Sequence, residues 1–159
     1  TESGRQWGPR VMSEARRIAC FSDFWIHYLG EHRRPASRRL HFVGTTVFLG
    51  TLVAALVQHP VRMGSCLVGA ALVAFLARAI EARRRAAREA VAIAAILVIG
   101  SPWVAAGIGA AYGFAWVGHF LIERNRPATF EYPLWSLFGD VRMVGRMWSG
   151  RMWSGEPEP

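Results

Sequence analysis

Apolar residues fall into four blocks, at about 40–57, 63–80, 90–99 and 103–122, with polar and charged residues collected between them and toward both ends. Three blocks approach the ~20 residues that a membrane-spanning helix needs. The third is shorter: counted from Ala86 it reaches about 14 residues, roughly 21 Å of helix against a hydrocarbon core of ~30 Å, and it spans only with snorkelling flanks. Gly100-Ser101-Pro102 separates it from the fourth block, because proline removes a helical donor and disfavours helix in the residue before it. Ahead of the first block, residues 22–31 read as an amphipathic interfacial helix, and Pro35 breaks the chain before a spanning helix that starts near Arg39, with His41 in its first turn. The pattern predicts an all-α integral membrane protein: four transmembrane helices as two hairpins, plus an N-terminal interfacial helix. Residues 1–17 read as an N-terminal tail and 18–143 as a single domain. Residues 144–159 read as a disordered tail, in which Arg146-Met-Trp-Ser-Gly150 is followed at once by Arg151-Met-Trp-Ser-Gly155, a slipped duplication.

Charge sharpens the topology. The chain is 52% hydrophobic yet carries a net charge of +8, so charge and apolar surface must be segregated. With four crossings, 18 of the 19 basic residues lie on one side or at its border and only Arg62 on the other, a bias that the positive-inside rule assigns to the cytoplasm. Both termini then face the cytoplasm. A soluble helical bundle with basic loops would not readily produce that asymmetry. All the basic residues are Arg, which a GC-rich genome explains, and the bias is no argument for nucleic acid as a partner. Trp25, Tyr28, Trp103, Trp116 and Trp135 lie near segment ends and suit either an interfacial belt or a core. Cys20 and Cys66 have no partner at metal-ligand spacing and suggest no disulfide framework. Residues 1–10 lack the apolar region of a signal peptide, and Met12 is a candidate internal start.

The candidate chemistry brackets the apolar sequence. His32 and His41 stand before it, His119 and Glu123 at its end; neutral imidazole with a carboxylate suits Fe(II) or Zn(II). His119 and Glu123, four apart, share a face of an α-helix, below a stripe of small side chains at Ala115, Ala111 and Gly107 that admits a neighbouring helix or an acyl chain. His32 and His41, nine apart, would lie on opposite sides of one continuous helix, so shared coordination needs the break at Pro35. An even number of crossings returns His119 to the side of His41. His27 reads as an amphipathic tip and His59 as a loop residue; five histidines in all point to one ion rather than two. Arg33, Arg34, Arg38, Arg39, Arg124 and Arg126 surround the candidate ligands. Most suit anionic lipid headgroups, and Arg38, Arg39, Arg124 and Arg126 are candidates for a substrate carboxylate.

Three elements carry a resemblance: Phe24-Trp-Ile-His-Tyr28-Leu-Gly-Glu-His32, Leu40-His41-Phe-Val-Gly44-Thr, and Trp116-Val-Gly118-His119 with Glu123 and Pro127-Ala128. Over about residues 18–143 the chain resembles a family of small membrane proteins, once classed as a domain of unknown function, that includes the yeast 2-hydroxy fatty acid dioxygenase of phytosphingosine breakdown. Ser37 stands where the eukaryotic motif has Asn, and the run 127–135 resembles the short bacterial branch. The resemblance implies an Fe(2+)-dependent α-oxidation at a bacterial inner membrane: a 2-hydroxy fatty acid and O2 give the acid one carbon shorter, CO2 and water. It implies His32, His41 and His119 as ligands of one Fe(2+), and Glu123 as a fourth ligand or as a catalytic partner that orients an imidazole. Two other functions compete: a non-catalytic membrane protein whose arginines bind anionic lipid, and a zinc-dependent membrane hydrolase with Glu123 as base.

Overall fold

The computed structural model describes residues 17–157, so the reading of residues 1–16 as a tail, with Met12 as a start, lies outside the described residues. Within them the chain is all-helical: α1 (Phe21–Glu31), α2 (Pro35–Gln58), α3 (Pro60–Glu81), α4 (Ala87–Gly100), α5 (Trp103–Trp116) and α6 (Pro133–Trp148). The α5 helix continues as a π-helical segment, Val117–Glu123, and a 3-10 turn, Ala128–Phe130, leads into α6. Proline occupies the first turn of α2, α3 and α6, where its fixed φ favours the helix and its missing donor costs nothing. Pro35 therefore starts α2 rather than merely preceding it. His41 lies in the second turn of α2, with Ser37 and Arg38 in the first.

Three helices are long and apolar enough to cross a membrane: α2, α3, and α5 together with its π-helical extension. The α4 helix, at 14 residues, is as short as its apolar block. A seam of Met63, Ala70 and Ala77, seven residues apart on α3, packs with Ile93 and Leu97 of α4, while Val68, Leu72 and Val91 point outward. Small residues also let α2 and α5 approach closely. A Cβ on Gly44 would stand 3.0 Å from the Ala111 backbone, and one on Gly107 would meet Phe48 and Thr51. The small stripe of α5 is thus a packing surface for α2.

A second core joins α1 to α6. Phe24, Trp25, Tyr28 and Leu29, at one-turn spacing on α1, are buried against Trp135, Met143 and Met147 of α6. Trp25, Tyr28 and Trp135 are therefore interior, whereas Trp103 and Trp116 are exposed at helix ends. Where the sequence suggests a disordered tail from residue 144, the structure has the last turn of α6 and a strap folded back on the domain. Met152 is buried, and the Trp153 indole N–H donates to the Met147 carbonyl at 2.7 Å. The anchor is Arg38, fully buried, whose five N–H donors meet five carbonyls: those of His32 and Arg33 before α2 and of Met152, Ser154 and Gly155 in the strap.

Candidate metal centre

His32 caps the C-terminus of α1, His41 projects from α2, and His119 lies in the π-helical end of α5. All three are buried, and one nitrogen from each converges with the others within 4.8 Å. Their rings pack edge to face, with centroids 4.4 to 5.1 Å apart.

The other nitrogen of each ring is occupied, and the partners assign the tautomers. His32 Nδ1 donates to the Tyr28 carbonyl at 2.7 Å, and His41 Nδ1 to Asp140 of α6 at 2.8 Å. His119 Nδ1 meets Asn125 Oδ1 at 2.8 Å; because the Asn125 amide nitrogen donates to the Glu31 carbonyl, that oxygen accepts from His119. Every Nδ1 thus carries the proton and every Nε2 a lone pair directed inward. His32 Nε2 and His41 Nε2 are only 3.2 Å apart. Two facing lone pairs at that distance repel unless a cation stands between them, so the donor set fits a metal ion. Burial, reinforced by the neighbouring imidazoles, holds His32 well below the usual histidine range, which keeps it neutral and able to ligate.

Support extends one shell outward. The Tyr28 hydroxyl donates to Asp140, and its ring stacks on His32 at 4.0 Å. Burial first, then Asp140, pushes the Tyr28 hydroxyl well above its ordinary value, so it remains a donor. Asn125 is reached by a reversal at Arg124, a non-glycine residue at φ 58°, after which its N–H donates to the His119 carbonyl. Gly118 lets the segment approach α2: a Cβ there would stand 2.9 Å from Ser37 Oγ. Ser37, one turn before His41, is fully buried with no hydrogen-bond partner for its hydroxyl among the described residues.

Other predicted residues take different places. Glu123 is not among the converging groups; its carboxylate accepts the Arg34 backbone N–H at 2.8 Å. That contact with the chain just ahead of α2 holds the Glu123 carboxylate away from the triad. Arg38 has every donor committed to carbonyls and none for a substrate carboxylate. Arg39 donates to the Trp153 carbonyl, and Arg126 lies over the Phe130 ring at 5.1 Å. Arg124 is exposed beside Asn125. His27 pairs with Glu31 at 3.4 Å and His59 joins α2 to α3, neither in the triad. Cys20 and Cys66 are free thiols.

Asp140, Asn125 and Tyr28 were not singled out from sequence as site residues. A signal existed for Asp140: it follows Gly139 and lies seven residues after Pro133 on a helix whose buried face includes Ser136, Gly139 and Met143. Tyr28 stands one helical turn before His32, a spacing visible in the sequence, whereas Asn125 acts through contacts that spacing does not reveal.

Three helices of membrane-crossing length and a buried histidine triad able to hold a metal ion define the class. Over residues 18–152 the chain matches the family described as 2-hydroxy-palmitic acid dioxygenase Mpo1-like, and it belongs to that family. No curated protein and no solved structure matches it. The family assigns a dioxygenase-like function in lipid metabolism, and the matched span runs past α6 into the strap.

Proposed function

We propose that this chain is an Fe(2+)-dependent membrane dioxygenase that converts a 2-hydroxy fatty acid and O2 into the acid one carbon shorter, CO2 and water. The observation that carries the proposal is the set of three inward Nε2 lone pairs, each fixed by a different Nδ1 acceptor. The stoichiometry balances without a cosubstrate: loss of the carboxyl carbon as CO2 and oxidation of the carbinol carbon to an acid release four electrons, and O2 accepts four. Fe(2+), when bound by three neutral imidazoles, supplies open positions suited to O2 and to a hydroxy-acid chelate. His32, His41 and His119 hold the ion. Asp140 and Asn125 fix two of the rings, and the aromatic layer of α1 and α6 shields the site from water. With Arg38 committed elsewhere, Arg126 and Arg124, flanking Asn125, are the better placed candidates to meet the substrate carboxylate.

The site also argues for the topology. His119, at the end of α5, meets His41, at the start of α2, so both ends lie on one side. The α2 and α3 helices leave and return; α5 can end on that side only if α4 carries the chain back across. The Arg62 side chain, on the first turn of α3, donates to the Gly100 carbonyl at the end of α4, which sets the far ends of these two helices level. This supports four crossings, with α4 a short one, and the arginine bias supports a site on the cytoplasmic side, in a bacterial inner membrane by the family resemblance.

The test is metal content of protein purified in detergent without oxygen. About one iron per chain, lost in His119→Ala, supports the reading, and 2-hydroxypalmitate should then consume O2 with release of CO2. Zinc without oxygen consumption would replace it with a hydrolase, and metal-free native protein would leave a lipid-binding module.

A further inference from the structure

Two adjoining, half-open pockets, of about 60 and 90 Å³, share a wall formed by Phe48, Ala111, Tyr112, Pro133 and Leu137. The first is bounded at one end by His119 and Asp140, with Thr45 and Thr129 adding further polar atoms. The second is bounded by Ala90, Ile93, Ala94 and Leu97 of α4 and contains no ionisable side chain except Tyr112. Side by side, they line a groove that is polar at His119 and Asp140 and aliphatic at α4. Its run along α5, from His119 back to Ile108, is about 16 Å of helix, about the length of a dozen extended methylenes.

From this polarity gradient we infer that the groove seats the acyl tail of the 2-hydroxy acid, with α4 closing its far end and setting the chain length accepted. The inference rests on the function proposed above and adds a specificity determinant to it. An amphiphile whose head reaches His119 finds an apolar wall on α4 beyond it, in which Ala90 and Ala94 stand beside Ile93 and Leu97. The two alanines are the smallest side chains at the α4 end, so they leave room that larger ones would fill. Phe at position 94 would shorten the groove, and each methylene displaced from it costs about fourfold in affinity. Ala115 lines the groove one turn before His119, so Leu there would narrow the path at the head end for every chain length.

The test uses the full chain in detergent and a 2-hydroxypalmitate probe with a diazirine on its terminal carbon. Photolabelling is expected within Ala87–Gly100, competed by 2-hydroxypalmitate but not by excess phospholipid, and lost in Ala115→Leu. Ala94→Phe should shift competition by a series of 2-hydroxy acids, from decanoic to stearic, toward the shorter members. Metal content, measured on the same samples, should not change in either variant. Label confined to the outer face of α3, or α4 label that phospholipid removes as readily as 2-hydroxypalmitate, overturns the inference. So does an unchanged chain-length profile in Ala94→Phe. If the native chain holds no metal while specific α4 labelling persists, the groove stands and the dioxygenase reading fails; metal without α4 labelling has the opposite meaning.

Discussion

Along α3 and α4 many large aliphatic side chains face outward, with Val68 71% and Leu72 58% exposed, and the inner seam sets Ala70 and Ala77 beside Met63, Ile93 and Leu97. In the layer formed by α1, α6 and the strap, Phe24, Tyr28, Trp135 and Met143 lie inside, and the buried polar groups His32 and Arg38 lie close by. The two regions answer to different solvents. Against lipid, turning a leucine inward gains little, so close backbone approach between small residues holds the helices together. Against water, aromatic burial stabilises the layer, and at its boundary histidines can be buried because each has a partner. The histidine triad, the candidate metal site, sits where the regimes meet, on the ends of α2 and α5 and beneath α1 and α6.

Removing a ligand tests that boundary most severely. His119→Ala should abolish stoichiometric metal binding while leaving the outward-facing helices intact, as metal analysis paired with circular dichroism would show. Next in size is the strap anchor. Arg38→Lys keeps the charge but has three donors where five carbonyls wait, and should destabilise the protein by about 3 kcal/mol through the carbonyls left buried and unpaired. A melting temperature equal to that of the native chain would show that the strap is dispensable.

The second-layer carboxylate should matter less. Asp140→Asn keeps a side chain beside His41 Nδ1 but removes the negative charge, and should weaken metal affinity by about 10- to 100-fold in a chelator competition. In the lipid-facing region a glycine pair sharpens the contrast. Gly44→Ala pushes a methyl into the Ala111 backbone and should cost about 1–3 kcal/mol, whereas Gly50→Ala meets nothing within 4 Å and should stabilise α2 by up to about 1 kcal/mol. Equal melting shifts for the two would mean that α2 and α5 do not touch as described.

The smallest effect is with pH. Since His32 is held below its ordinary range in the folded protein, the unfolded chain takes up a proton near pH ~6.5 that the folded one refuses. The contribution of His32 to the stability of the metal-free protein should therefore decline as pH falls through that value, read as the difference between the native chain and His32→Gln. Profiles that run parallel for the two would mean that the imidazole is not sequestered.

What sequence made legible follows the same division. Long apolar blocks announced α2, α3 and α5, and parity with the arginine bias led to the proposal that His41 and His119 share a side. The structure brings all three histidines together. Sequence could not show Arg38's role, because its partners are backbone carbonyls, two of which lie 114 and 117 residues away. Nor could it show the contact that holds Glu123, since its partner is the backbone N–H of Arg34, 89 residues away. The α6 helix was missed as a defined element for a simpler reason. Its stripe is long enough for a helix but too short to span, and beside four apolar blocks it read partly as tail.

Arg38 has one more consequence, in the order of events at the ribosome. Its donors belong to the start of α2, yet three of its five acceptors are made more than a hundred residues later. Until the strap emerges, the Arg38 donors that meet Met152, Ser154 and Gly155 have no such acceptors, and the turn between α1 and α2 lacks its anchor. A chain cut short before residue 152 should therefore hold His32 and His41 less firmly together, and whatever ion the triad takes would be bound more weakly.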